Sequence, residues 1–294
     1  SMSGVDASIN DNMVEMDNKG VDENLEYQTR IGNKVGLRLF GNLTYSKNKI
    51  VFRDEPAMQY AYQKSEGTRY GEFYGYIAEG YFQSEEEIKK SPRQMRELAP
   101  GDIKYKDLND DGVIDANDQC YLGKSWFPSW SYGMGFNINY HNFDLALFFQ
   151  GVSDVSIMAN GGSIDTGNGD WGASGVGIVP FTGMGLNPSN VITKALDRWT
   201  ADNPRADAWY PRMTANATTN DNNYVNSTHW LKDGSYLRLK QASLGYTLEN
   251  KKLMDKGIEY LYFYLSGQNL VTFSKFKLWY PELGSNGRMS PLSS

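Results

Sequence analysis

Apolar and polar residues alternate with a period of two along several stretches of this chain. That period belongs to strands with one greasy face and one wet face. From Val35 onward, Val35, Leu37, Leu39, Leu43 and Tyr45 share one side, and Arg38, Asn42, Thr44 and Ser46 share the other. The clearest pair of strands runs from Tyr132 to Phe149. Tyr132, Met134, Phe136, Ile138 and Tyr140 point one way, while Gly133, Gly135, Asn137 and Asn139 point the other. His141-Asn142 reads as a tight turn. The return strand places Phe143, Leu145, Leu147 and Phe149 on one face. A third pair spans Tyr236 to Thr272. There Leu237 and Leu239 fall on odd positions, whereas Leu244, Tyr246 and Leu248 fall on even ones, which predicts a bulge near Gln241-Ala242-Ser243. After residues 249–257, Leu261, Phe263 and Leu265 alternate with Tyr260, Tyr262 and Tyr264. Further strands are expected at Val21–Tyr27 and Phe73–Phe82.

The connections are asymmetric. Some strand pairs join through a few residues, while long polar insertions occupy about 83–128 and 152–232. Short turns on one rim, long loops on the other and aromatics at both ends of an apolar band form the outer-membrane barrel pattern. In an ordinary compact domain such long connections are uncommon unless functional. Two short helices are expected inside the insertions. Ser84-Glu85-Glu86-Glu87 starts one with a capping-box pattern, and Pro188-Ser189-Asn190 leads into another over Val191–Arg198. The fold class predicted is all-β, with about seven or eight antiparallel strands of a larger transmembrane barrel forming an open, curved sheet.

Composition narrows the chemistry. Aromatics make up 14% of the 294 residues, with 20 Tyr, 7 Trp and 30 Gly, which suits strands and turns. The net charge of -6 argues against a nucleic-acid groove. Cys120 is the single cysteine, so no intrachain disulfide framework exists. His141 and His229 are the only histidines and lie far apart, so a His-rich zinc site or a Ser-His-Asp hydrolase finds little support. No run of about 18 apolar residues is present, which excludes a helical span but not a barrel. The first and last residues show no signal-peptide pattern and no finished terminal element, so a piece of a longer protein is expected.

One segment carries metal-type spacing. Asp107-Leu108-Asn109-Asp110-Asp111-Gly112-Val113-Ile114-Asp115-Ala116-Asn117-Asp118 places oxygen-bearing side chains at loop positions 1, 3, 5, 9 and 12, with glycine at 6. Asp107, Asn109 and Asp111 would offer side-chain oxygens to calcium, Val113 its carbonyl, and Asp115 a direct or water-mediated oxygen. Asp118 would close the shell. The competing reading is a hydrated acidic turn in which Gly112 takes positive φ. Trp126, Trp130, Trp171, Trp199, Trp209 and Trp230 sit in or beside the loops, either as sugar platforms or as loop packing. The acidic runs 85–87 and 107–118 are poor evidence for a glycosidase, which needs carboxylates held across a cleft.

Several segments, in order, resemble the SusC/RagA family of TonB-dependent outer-membrane transporters. They are Met16–Val21, Gly41–Asn48, Tyr74–Gln83, Pro100–Asp107, Asn142–Gly151, Leu196–Thr200, Tyr236–Lys240 and Ser266–Leu270. The resemblance implies that residues 1–294 are the C-terminal portion of a barrel of about 22 strands, without the plug domain and the earlier strands. It further implies TonB-driven import of glycans or oligopeptides with a SusD-like lipoprotein lid, contact with outer-membrane lipid, and no catalysis. The family usually has glycine at Asp110 and aspartate at Tyr280. The alternative expectation is a soluble, calcium-stabilised β-sandwich that binds carbohydrate. The outward face discriminates the two, because a sandwich covers its greasy side with a second sheet.

Overall fold

The computed structural model describes residues 13–32, 34–95, 97–160, 193–213 and 221–283. Its strands in chain order are β1 (Val14–Ile31), β2 (Val35–Arg53), β3 (Glu72–Gly75), β4 (Ala78–Tyr81), β5 (Ile103–Tyr105) and β6 (Cys120–Ser125). They continue as β7 (Trp130–Tyr140), β8 (Phe143–Ser153), β9 (Ser156–Met158), β10 (Leu231–Asp233), β11 (Tyr236–Leu248) and β12 (Leu261–Ser274). Three short helices intervene: α1 (Glu85–Lys90), α2 (Asp221–Tyr224) and α3 (Lys251–Met254).

Six long strands form one open antiparallel wall in the order β1-β2-β7-β8-β11-β12. The wall is a meander, so each neighbour in space is also the next wall strand along the chain. Residues 32–34, 141–142 and 249–260 close one rim with short turns. The connections from β2 to β7 and from β8 to β11 leave the other rim with long loops. His141 supplies the positive φ of 52° that the tight turn needs. Asn142 ties that turn to β11, donating through Nδ2 to the Thr247 carbonyl at 2.7 Å and accepting from the Thr247 amide at 2.8 Å.

Register carries the apolar face across all six strands. Ile31, Val35, Tyr140, Phe143, Tyr246 and Phe263 stand opposite one another along one row, beside the short turns. Thr29, Leu37, Ile138, Leu145, Leu244 and Leu265 form the next. Nearer the loop rim Val21, Tyr45 and Trp130 align, with the Tyr45 and Trp130 rings 4.4 Å apart. An apolar band bounded by aromatics at both ends results. Among the described residues no second sheet covers it. Leu25 is 74% exposed and Leu265 76% exposed, which rules against a sandwich core on this face.

Four sequence expectations shift. The wall holds six strands among the described residues, because Phe73–Phe82 divides into β3 and β4, which pair with β6 and β5 in the loops. The alternation there serves a loop core: Tyr76, Tyr81 and Phe82 are buried. The first loop therefore begins at residue 54 rather than about 83, and the second ends at 235 rather than about 232. The bulge lies at Lys240, one residue before the expected site. Leu239 pairs with Phe149 and Gln241 with Phe148, so Lys240 is the extra residue, and it keeps both Leu239 and Leu244 on the apolar face. Val191 lies outside the described residues, and the helix expected there appears as a single 3₁₀ turn over Thr193–Leu196. The capping signal at Ser84 holds, since its side chain accepts from the Glu87 amide at the start of α1.

The buried core sits in the loops, not behind the wall. Tyr76, Tyr81, Ile103, Tyr105, Ile157, Trp199, Tyr210 and Trp230 belong to one cluster. The wall's apolar face is exposed, so its solvent must be hydrocarbon. Phe136→Arg on that face is expected to cost the full-length barrel about 2–4 kcal/mol in a bilayer. Asn137→Arg on the opposite face is expected to cost much less. Unfolding titrations in lipid vesicles check the contrast.

Candidate functional site

The wet face of the wall and the loops above it hold the residues able to meet a solute. Arg38 donates from Nε and Nη2 to both oxygens of Glu26, at 2.8 and 3.0 Å. Thr44 donates to Asp22 at 3.0 Å and Ser46 to Asn18 at 2.9 Å. These exposed cross-strand pairs set register more than they add stability. Asn42 and Asn137, expected on this face, flank them in register, with Asn42 opposite Asn24 and Asn137 opposite Arg38. Asn139, also expected here, stands opposite Asp144 nearer the short turns.

Two phenylalanines interrupt the polar surface. Phe40 and Phe148 stack with centroids 6.0 Å apart and planes 15° apart. Gly135 lies between them in register. A Cβ on Gly135 would come within 2.7 Å of the Leu147 carbonyl oxygen and press on the Phe40 ring, so glycine makes the stack possible. The Arg38 guanidinium lies 5.0 Å from the Phe40 centroid, within cation–π range. Nearer the short turns, Tyr262 and Tyr264 stack at 5.7 Å, and the Tyr262 hydroxyl donates to Asp144 at 3.0 Å. Phe40 and Phe148 fall at polar positions of their strands, so the broken alternation was the available signal.

The loops are knit by a buried polar network that sequence reasoning missed. Asp102 is 2% exposed, and its two oxygens accept from Arg212 Nε and Nη2 at 2.9 and 2.8 Å. Asn223 Nδ2 donates to Asp102 at 2.7 Å, and the Ala99 amide donates at 2.8 Å. Asn222, Asn223 and Gln94 bind the edge of β5 through Ile103 and Tyr105. Arg212, Asn222 and Asn223 lie more than a hundred residues from Asp102 and Ile103, so no local pattern announces those pairings. Trp199 and Trp230 are buried, which assigns them to loop packing. Trp126 and Trp130 are exposed, Trp209 is half-buried, and Trp171 lies outside the described residues.

The metal-type loop is ordered by its own amides. Asp107 accepts from the Gly112 amide at 2.8 Å, Asn109 from Asp111 at 3.1 Å, and Asp111 from Val113 at 2.8 Å. Asp115 accepts from Asn117, and buried Asp118 accepts from the amides of Leu108 and Asp115. Gly112 has φ 81° and Asp110 φ 59°. The left-handed backbone at 110 explains why glycine suits that position and why a short acidic residue tolerates it. Among the described residues no group of three or more His, Cys, Asp or Glu side chains is arranged to hold a metal. One oxygen, Asp107 Oδ1, is buried without a partner.

Tyr280 also has a geometric consequence. Arg238, 4% exposed, turns to Glu282 at 2.7 Å and to Thr272 at 2.9 Å. Its guanidinium lies over the Tyr280 and Tyr236 rings at 5.3 and 5.5 Å, while Nη2 has no partner.

The open wall, its aromatic borders and its one-sided loops match known proteins over nearly the whole chain. The chain is 27% identical over 288 residues to TonB-dependent receptor P3 of Formosa agariphila, covering 93% of this chain and 26% of that protein. It is 29% identical over 212 residues to TonB-dependent receptor P26 of the same organism, covering 71% and 19%. It shares a fold with the RagAB peptide importer in its closed-closed state, with a TM-score of 0.63 at 20% identity, over 94% of this chain and 28% of that one. The open-open state gives 0.62 at 20% identity, over 95% and 28%. No family model matches.

Over most of its length the chain resembles TonB-dependent receptors, and it shares the fold of part of the RagAB importer. It spans about a quarter or less of the length of the curated relatives it matches. The segment has the form of an outer-membrane barrel wall. By the barrel rule, its short turns face the periplasm and its long loops the exterior.

His229 gives the receptor's loop core a pH dependence. Burial, aided by the Lys232 charge, pushes its imidazole down to about 4 against a weaker upward pull from the Trp209 carbonyl. The ring nitrogen Nε2 lies 3.2 Å from that carbonyl and 3.3 Å from the Tyr81 hydroxyl. An unfolded histidine near 6.5 binds its proton first, so the neutral ring's stabilisation is complete above that pH and drains away toward 4. Amide exchange at Ala159 and Trp230 is expected to accelerate over that window and to lose much of this dependence in His229→Asn.

Proposed function

We propose that the receptor containing this chain imports large nutrients, oligopeptides or glycans, through the outer membrane. The observation that carries this reading is the largely apolar face that runs across six strands, backed by a polar face and capped on one rim by folded loops. Such a wall separates hydrocarbon from a wet passage. The likeness to the RagAB peptide importer favours oligopeptides as cargo. Arg38, Asn42, Asn137 and the Phe40–Phe148 stack offer a peptide both hydrogen bonds and an apolar contact. A SusD-like lipoprotein would sit over the exposed aromatic loops, where Tyr70 and Trp126 are each about half exposed. Energy would come from the TonB complex through a plug elsewhere in the protein.

Deleting the full-length receptor is expected to abolish uptake of its cargo, with labelled oligopeptides and oligosaccharides tested in parallel, and a protonophore is expected to stop uptake in the wild-type strain. Recovery of the intact protein in the soluble periplasmic fraction would sink the reading.

We further propose that the acidic loop closes around a structural calcium ion, which would draw its carboxylates together. Asp107 Oδ1 is the buried oxygen that lacks a partner, and a cation would satisfy it. Carboxylate oxygens carry two lone pairs, so the amide bonds already present are compatible with coordination. Asp107, Asn109, Asp111, the Val113 carbonyl, Asp115 and Asp118 would hold the ion and stiffen the first loop. Millimolar calcium is expected to slow amide exchange over residues 107–118 in the full-length receptor at least severalfold, and Asp107→Asn to blunt the effect. Exchange indifferent to calcium refutes the site.

A further inference from the structure

Just beyond the outward aromatic row, β1 and β2 adopt a pairing that their own electrostatics oppose. Lys19 stands directly opposite Lys47 on the same face as Val21 and Tyr45. Like charges in that position repel. At Gly20 the strands pass close together, since a Cβ there would strike the Tyr45 carbonyl oxygen and lie 3.4 Å from the Ser46 Cα. The next pair outward on this face is Asp17 opposite Lys49. All four side chains are exposed, and none of the three lysines forms an ion pair with a described residue. Asp17 can offset one of the three positive charges. Glu23 stands one same-face pair inward of Val21 and Tyr45, opposite Leu43.

Position decides what could relieve this repulsion. Tyr45 and Trp130 mark the border between hydrocarbon and headgroups. Two residues along a strand advance about 7 Å, and strand tilt reduces this to roughly 5 Å along the membrane normal. The lysines therefore rise from the edge of the apolar band into the headgroup layer, with their stems free to snorkel along it. The face they share with Val21 and Tyr45 is the one read as turned to lipid.

We propose that Lys19 and Lys47, with Lys49 beside them, form a docking site for the phosphate of a lipid headgroup in the leaflet on the long-loop side. A phosphate offers several acceptor oxygens to converging ammonium groups, turning a repulsive pair into a bridged one. The site continues the lipid-facing wall and rests on that reading.

The test places the full-length receptor in phosphatidylcholine nanodiscs with or without a minor fraction of phosphatidic acid. Native mass spectrometry counts retained lipid, and thermal unfolding is followed alongside. Wild type is expected to keep phosphatidic acid preferentially. Lys19→Gln with Lys47→Gln should weaken retention by about fivefold for each lysine removed. Lys19→Arg with Lys47→Arg should preserve it, and raised salt should lower it. Equal retention by wild type and the glutamine variant overturns the site. So does an equal thermal shift from inorganic phosphate in neutral discs, which would make the lysines a general anion patch. Failure of the wild-type receptor to enter any disc refutes the lipid-facing wall itself, and this site with it.

Discussion

Hydrocarbon offers no partner to a backbone amide or carbonyl, and that deficit governs this molecule. Each wall strand must pair along its length with its neighbours. Once the ladder is complete, register becomes the only freedom left, and a slip of one residue would put arginine and asparagine into lipid. The rows Ile31–Phe263 and Thr29–Leu265 cross all six strands and show the constraint satisfied. Lys240 shows its force, because the chain tolerates an extra residue there rather than turn Leu244 inward.

The wall needs no buried core of its own, so the core has moved. The first and second loops come together through distant pairings, such as Asp102 with Arg212 and Tyr81 with the Ala208 carbonyl. Small two-stranded ribbons give this layer its scaffold, and Trp230 fills its centre. A buried carboxylate with four donors is a demanding arrangement, and breaking it would leave an uncompensated charge. That makes the outer surface a folded platform, a suitable base for a partner or for cargo.

The wet face combines two chemistries. Polar pairs such as Arg38–Glu26 hold water and register, while glycines at 133, 135 and 245 leave room for the rings beside them. The aromatic stacks at Phe40–Phe148 and Tyr262–Tyr264 are islands on this polar surface.

The strand faces, the tight turn at His141, the cap at Ser84 and the asymmetry of the two rims were legible in the sequence. Each depends on residues within one or two strand lengths, where periodicity acts directly. The turn with Gly112 at positive φ was legible for the same reason. Tertiary structure alone decided that Phe73–Phe82 belongs to the loop core, that Trp199 and Trp230 are buried, and that Asp102 meets Arg212. Alternation records which faces differ but not what each face touches. Protein interior and lipid are both apolar, and only the pairing of distant strands chooses between them.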